Sequence, residues 1–242
     1  MRRRATVDLS EVSFLQTGKG KDLVFMHGYL SSKEAFSAQI RYFSKFYKVT
    51  AFDFLGFGGS GILTKPYSVD DYADWTDEVL SLLGVRNPHL IAHSFGCRVA
   101  LKLSSRKADF FDKMLLTGAA GIILNRGLSY RCKVKAYRLV KKFAPKFAER
   151  RFGSVEYRAL SPIMKESYKK IVNEDLRGCA KKTENEVLLV TGKGDTVTPI
   201  REAETYLACL KRGRLCMIDG GHFAFAEYPT KFNLIAEEFF YE

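Results

Sequence analysis

His89-Leu90-Ile91-Ala92-His93-Ser94-Phe95-Gly96-Cys97-Arg98 is the stretch of this 242-residue chain that decides its fold. His89–His93 is near-continuously apolar, as a strand buried on both faces of a parallel sheet must be. Phe95–Ser105 behind it has helical character, so Ser94 alone separates a strand from a helix. A turn that abrupt strains its central residue and needs small neighbours two places away on either side, here Ala92 and Gly96. The serine hydroxyl then stands above the sheet, and the N–H of Phe95 at the helix N-terminus faces whatever approaches it. The same serine could equally be an ordinary helix cap, so its surroundings have to decide.

Outward from this point, short apolar runs alternate with longer amphipathic ones. Asp22–Met26, Tyr47–Phe54, His89–His93, Lys113–Thr117, Glu186–Thr191 and Arg214–Asp219 predict parallel strands. Ala5–Leu9 and Val12–Gln16, flanking Ser10-Glu11, predict an antiparallel edge hairpin. Ser32–Phe43, Ser68–Leu83, Phe95–Ser105, Pro199–Leu210 and Pro229–Phe240 predict helices, with Pro199 and Pro229 suited to a first turn. The expectation is an α/β fold built on a mostly parallel, doubly wound sheet of eight strands.

The alternation breaks once, after Lys113–Thr117, where about 60 residues pass before the next strand. Cys132–Phe152 and Ser161–Leu176 read as helices there. Residues 121–182 carry 17 Lys and Arg against 5 Asp and Glu, which accounts for the whole net charge of +12. That asymmetry divides the chain into a core of residues 1–120 and 183–242 and a strongly basic helical cap of residues 121–182, placed after the sixth strand. The cap would lie over the carboxyl ends of the strands, the edge at which open α/β sheets bind ligands. Its charge fits a solvated face, a lure for an anionic substrate, or peripheral contact with anionic lipid along Lys141-Lys142, Lys146 and Arg150-Arg151. No recognition motif supports nucleic-acid binding.

Composition sets outer bounds. Apolar residues make up 46% of the chain, enough for a buried core. No stretch approaches the ~18 consecutive apolar residues of a membrane span, and the basic start MRRR has no apolar run behind it to make a secretory signal. Five cysteines, in neither a redox-pair nor a zinc spacing, read as reduced thiols of a cytoplasmic protein.

Three further turns follow predicted strands. Met26-His27-Gly28-Tyr29 would present the N–H of Tyr29 opposite that of Phe95, with His27 fixing the turn. Thr191-Gly192-Lys193-Gly194-Asp195, ending at Thr198-Pro199, would hold a carboxylate at a strand end, and Asp219-Gly220-Gly221-His222-Phe223 would bring an imidazole to its neighbour. A nucleophile, an acid and a base in the order Ser94, Asp195, His222, each just past a strand, form the order of one known triad arrangement and not of the others. Asp219 is the second candidate for the acid, ranked below Asp195. His89 reads as structural, and His93 is expected to point away from the site.

These motifs resemble the α/β-hydrolase fold superfamily over nearly the whole chain, in particular small bacterial serine hydrolases with a helical cap. Asp53-Phe54-Leu55-Gly56-Phe57-Gly58-Gly59-Ser60 resembles that family's D-x-P-G-x-G-x-S segment, with Leu55 in place of proline. Ala92 replaces the first glycine of the G-x-S-x-G elbow, and Cys97 stands where a further glycine is usual. The resemblance implies acyl transfer from a small, ester-like and in some cases anionic substrate, with Ser94, Asp195 and His222 catalytic, Tyr29 and Phe95 forming the oxyanion hole, and no metal or organic cofactor. His27, Arg98 and Phe223 are candidate substrate contacts, although Arg98 reads first as a helix arginine facing solvent or a surface acid. A serine at position 94 excludes the carboxylate-nucleophile dehalogenases and epoxide hydrolases. Carbon–carbon bond hydrolases, lyases like the menaquinone synthase and a non-catalytic ligand receptor stay open, as does the oligomeric state.

Overall fold

A computed structural model describes residues 7–124 and 155–242. Among these residues seven strands form one sheet: β1 Phe14–Thr17, β2 Asp22–Met26, β3 Lys48–Phe52, β4 His89–His93, β5 Lys113–Thr117, β6 Glu186–Gly192 and β7 Gly213–Ile218. Their order is β1-β3-β2-β4-β5-β6-β7. β1 runs antiparallel to β3, and every other pair is parallel. The helices are α1 Ser37–Phe43, α2 Val69–Leu82, α3 Phe95–Ser104, α4 Val155–Ala159, α5 Pro162–Val172, α6 Arg177–Lys182, α7 Ile200–Leu207, α8 Ala224–Glu227 and α9 Pro229–Tyr241. None of the described helices is long and apolar enough to cross a membrane.

The apolar strands bury both faces, and their residues alternate between two cores. Met26, Leu90, Ala92, Met114 and Leu116 face a cluster shared with Tyr72 and Val79 of α2 and Val99 and Leu103 of α3. Phe25, Ile91, Leu115 and Val190 face the opposite cluster with Phe43 of α1 and Phe232 and Phe239 of α9. A one-residue register slip would exchange the two sets, so the pattern pins the pairing. α2 starts at a reciprocal cap, in which Ser68 accepts from the Asp71 N–H while the Asp71 carboxylate accepts from Ser68, an arrangement worth about 1 kcal/mol.

Among the described residues, 7–9 form no strand of the hairpin expected around Ser10-Glu11, and Ala5 and Thr6 lie outside them. Leu9–Glu11 is a 3-10 turn whose start is capped by the Asp8 carboxylate accepting from the Ser10 N–H. Capping favours the turn over extension here, and the strand that follows pairs with β3 instead of folding back. Seven strands are therefore described where eight were expected. Pro199 caps α7 from outside its first turn, whereas Pro229 does open α9. The expected helix Cys132–Phe152 lies outside the described residues. Ser161–Leu176 is helical only to Val172, because Leu176 turns to donate its N–H to the Gly121 carbonyl and then opens α6.

Two buried histidines carry a pH signature. His89 stacks on Phe240 with centroids 4.6 Å apart, and burial pushes its pKa down to about 4. His93 is almost wholly enclosed, and burial pushes it down to about 3. Both are neutral in the fold but take up a proton on unfolding below the ordinary histidine value of 6.5. Stability is therefore lost as pH falls from 6.5 toward 4, each histidine steepening the slope by up to about 1.4 kcal/mol per pH unit. Urea unfolding between pH 7 and 4.5 should show this, and His89→Phe should flatten it by one histidine's share. An unchanged slope in that variant would show that His89 takes up no proton on unfolding.

Candidate active site

The sheet register brings the carboxyl ends of β2, β4, β5, β6 and β7 to one edge. Met26 pairs with Ala92, His93 with Thr117, Thr117 with Val190, and Gly192 with Ile218. Ser94 follows β4 directly with φ 49° and ψ −103°, a conformation that is costly for any residue carrying a Cβ. Neighbours sustain it: the Ser94 N–H donates to the Thr117 carbonyl at 3.1 Å and its carbonyl accepts from Cys97 at 3.2 Å. At Gly96 an added Cβ would lie 2.4 Å from the Met26 carbonyl oxygen, so only glycine lets α3 leave the sheet here. Ala92, fully buried, is not among the residues of positive φ. Cys97 is fully buried and its thiol reaches the Ala92 carbonyl at 3.2 Å, so it ties helix to strand.

The turn after β2 lies against this serine. A Cβ on Gly28 would come 3.6 Å from that of Ser94 and 2.8 Å from Nδ1 of His93. His27 is buried, donating from Nδ1 to the Gly28 carbonyl at 2.7 Å and accepting the Phe54 N–H on Nε2 at 3.0 Å. It therefore fixes the turn as expected. With both nitrogens spent on backbone and its pKa lowered by burial, it has nothing left for a substrate. The buried Asp53 braces the same region through the N–H groups of Lys33 at 2.7 Å and Gly59 at 2.9 Å. The Tyr29 ring packs on Phe57, Phe95 and Tyr168 with centroids 4.9 to 5.8 Å apart.

At the far side of the edge, His222 Nδ1 lies 2.8 Å from Oδ2 of Asp195. Asp195 is buried, and Oδ1 accepts the N–H groups of Val197 at 2.8 Å and Thr198 at 2.9 Å. The Thr198 hydroxyl donates to Oδ2 at 2.7 Å. Burial alone would raise the Asp195 pKa, but the bonds from His222 and Thr198 outweigh it and hold the carboxyl at about 2. The anion therefore persists at any physiological pH. Asp219, the second candidate, is half-buried and paired with Lys193 at 2.7 Å and Lys231 at 3.3 Å, while His222 Nδ1 bonds Asp195. Gly118, the residue after Thr117, passes under the His222 ring, where an added Cβ would lie 3.1 Å from Cε1.

A family model described as the alpha/beta hydrolase fold matches residues 22–151, more than half of the chain. The chain belongs to the α/β-hydrolase fold family. This α/β-hydrolase is 33% identical over 101 residues to the (E)-2-((N-methylformamido)methylene)succinate hydrolase of Acinetobacter baylyi, a match spanning 42% of this chain but only 38% of that enzyme. It is 24% identical over 247 residues to YisY of Bacillus subtilis, a protein of the same superfamily, covering 92% of each. Among solved structures, an esterase from Exiguobacterium antarcticum matches with a TM-score of 0.76 at 22% identity, over 96% of both chains. A meta-cleavage product hydrolase from Pseudomonas fluorescens matches at 0.74 and 22%, over 95% of this chain and 93% of that one. At such identities the structures share the fold.

Within this α/β-hydrolase, Phe223 stands exposed, its ring against that of His222. Arg98 does not face solvent. It is buried, and Nη1 donates to the carbonyls of Ile171 at 2.8 Å and Glu174 at 3.0 Å, clamping the end of α5 to α3. His93 does not point away: its ring packs on that of His222 at 4.7 Å. Thr198, His93 and Glu227, whose carboxylate accepts the Gly221 N–H at 2.9 Å, are site residues that the sequence reading missed. Thr198 alone had a visible signal, in the acid–x–x–Thr-Pro spacing.

Arg98→Met strips two carbonyls of their donor, an expected cost of about 2–4 kcal/mol. The urea midpoint should fall, and α5 should become the first site of limited proteolysis. Wild-type stability with unchanged cleavage would show that the clamp contributes nothing.

Proposed function

We propose that this α/β-hydrolase cleaves carboxylic esters or thioesters of small to medium substrates through an acyl-enzyme on Ser94. The observation that carries this reading is the 2.8 Å bond between His222 and the ionised Asp195, on the strand edge where Ser94 is held in its strained turn. Asp195 occupies Nδ1 of His222, leaving Nε2 to take the Ser94 hydroxyl proton as the oxygen attacks the acyl carbon. The N–H groups of Tyr29 and Phe95 receive the oxyanion, each such donor contributing about 10²–10³ in rate. The imidazolium then protonates the departing alcohol or thiol. Water, deprotonated by the same ring, releases the acid and restores Ser94.

The same reading takes residues 121–182 as a cap over this edge, supported by the packing of Tyr168 of α5 on Tyr29. Carbon–carbon bond cleavage uses the same three residues, and a meta-cleavage product hydrolase shares the fold. That alternative leaned on Arg98 as a ligand for an acidic substrate. With Arg98 bound to Ile171 and Glu174, ester hydrolysis is the stronger reading.

A panel of p-nitrophenyl esters from acetate to palmitate tests it. Wild type should release a stoichiometric burst of p-nitrophenol where deacylation is slow, and Ser94→Ala none. Asp195→Asn should lower kcat by about 10⁴. Thr198→Val removes one bond to the carboxylate and should cost about ten- to a hundredfold. Full turnover by Ser94→Ala would overturn the assignment.

A further inference from the structure

His93 has no part in the chemistry above, yet it is almost wholly enclosed at the site. It precedes the nucleophile in the chain, and its side chain crosses to the base. Nε2 lies 3.0 Å from the backbone carbonyl of His222. A carbonyl only accepts, so Nε2 carries the proton and Nδ1 is the bare lone pair. That lone pair has no partner, although it is buried. It faces Gly28, where an added Cβ would come within 2.8 Å of it. An orphaned buried acceptor is unfavourable and calls for an explanation.

The explanation lies in what the ring holds. His93 packs against His222 at 4.7 Å, Phe223 at 4.9 Å and Phe225 at 4.9 Å, all on the loop and short helix that carry the base. That loop leaves β7 through two glycines, of which Gly220 takes φ 108°, and a backbone so free needs external ties. Glu227 holds the Gly221 N–H, and Asp195 holds the imidazole. Neither of these ties reaches the nucleophile. The tie from His93 does, because the next residue in the chain is Ser94.

We propose that His93 is a positioning residue that sets the separation of Ser94 from His222 by bonding the His222 carbonyl through Nε2–H. The inference rests on His222 being the general base. A purely apolar side chain would fill the same space without the bond, and a donor placed nearer the backbone would fall short of it. Glutamine extends its amide to about the reach of Nε2, and asparagine does not.

The experiment compares wild type with His93→Gln, His93→Asn and His93→Met, each checked for folding by thermal melting. On the best p-nitrophenyl ester, Asn and Met should lose about ten- to a hundredfold in kcat with KM little changed, and Gln should recover most of it. Proton NMR of the same proteins reads the far-downfield Nδ1–H of His222 against Asp195. It should persist in wild type and Gln and broaden away in Asn and Met. This signal needs no substrate, so it tests the tie even if no ester is turned over. The Gln and Asn pair carries the comparison should Met fail to fold. Equal signals and equal kcat in Asn and wild type would overturn the proposal, as would a Gln variant no better than Asn.

Discussion

The arrangement of the site depends on a single backbone constraint, the passage from β4 to α3 in one residue. Ser94 sits at φ 49° because no longer connection would keep its side chain at the sheet edge. The strain is tolerable only because surrounding groups over-determine it. Thr117 takes its N–H, Cys97 returns a bond to its carbonyl, and Gly96 lets the helix lie on the Met26 carbonyl. Gly28 yields for the same reason on the other side. Residues from three adjacent strands thus answer to one dihedral, and the candidate oxyanion donors follow from it.

A second layer of organisation is polar and buried. Asp195, Asp53, His27 and His93 are all enclosed, and each bonds backbone amides or carbonyls of neighbouring loops. Loops at a strand edge have few apolar contacts of their own, so they are held by such bonds. Arg98 extends the logic beyond the edge, fastening α5 to the helix that carries the nucleophile.

What was legible in the sequence was whatever depends on local pattern. The inner strands, the elbow around Ser94 and the acid and base turns are written in runs of fewer than ten residues, where periodicity and glycine placement act directly. Contacts between distant positions were not legible. His93 meets a carbonyl 129 residues away and Arg98 meets one 73 away, and nothing in either one's neighbourhood announces it. The edge hairpin failed for a local reason: Asp8 caps a turn, and that competes with the alternation of apolar residues. The eighth strand was inferred from that alternation, and Ala5 and Thr6 lie outside the described residues.

Cys97 gives the nucleophile helix an internal reporter. Its thiol is wholly enclosed, held at the Ala92 carbonyl, with its pKa pushed up by burial, so the reactive thiolate is scarce while α3 stays docked. An alkylating reagent reaches that sulfur only when the helix lifts from the sheet. Its labelling rate therefore counts the openings of the very element that holds Ser94 in place, in the folded protein and without a substrate.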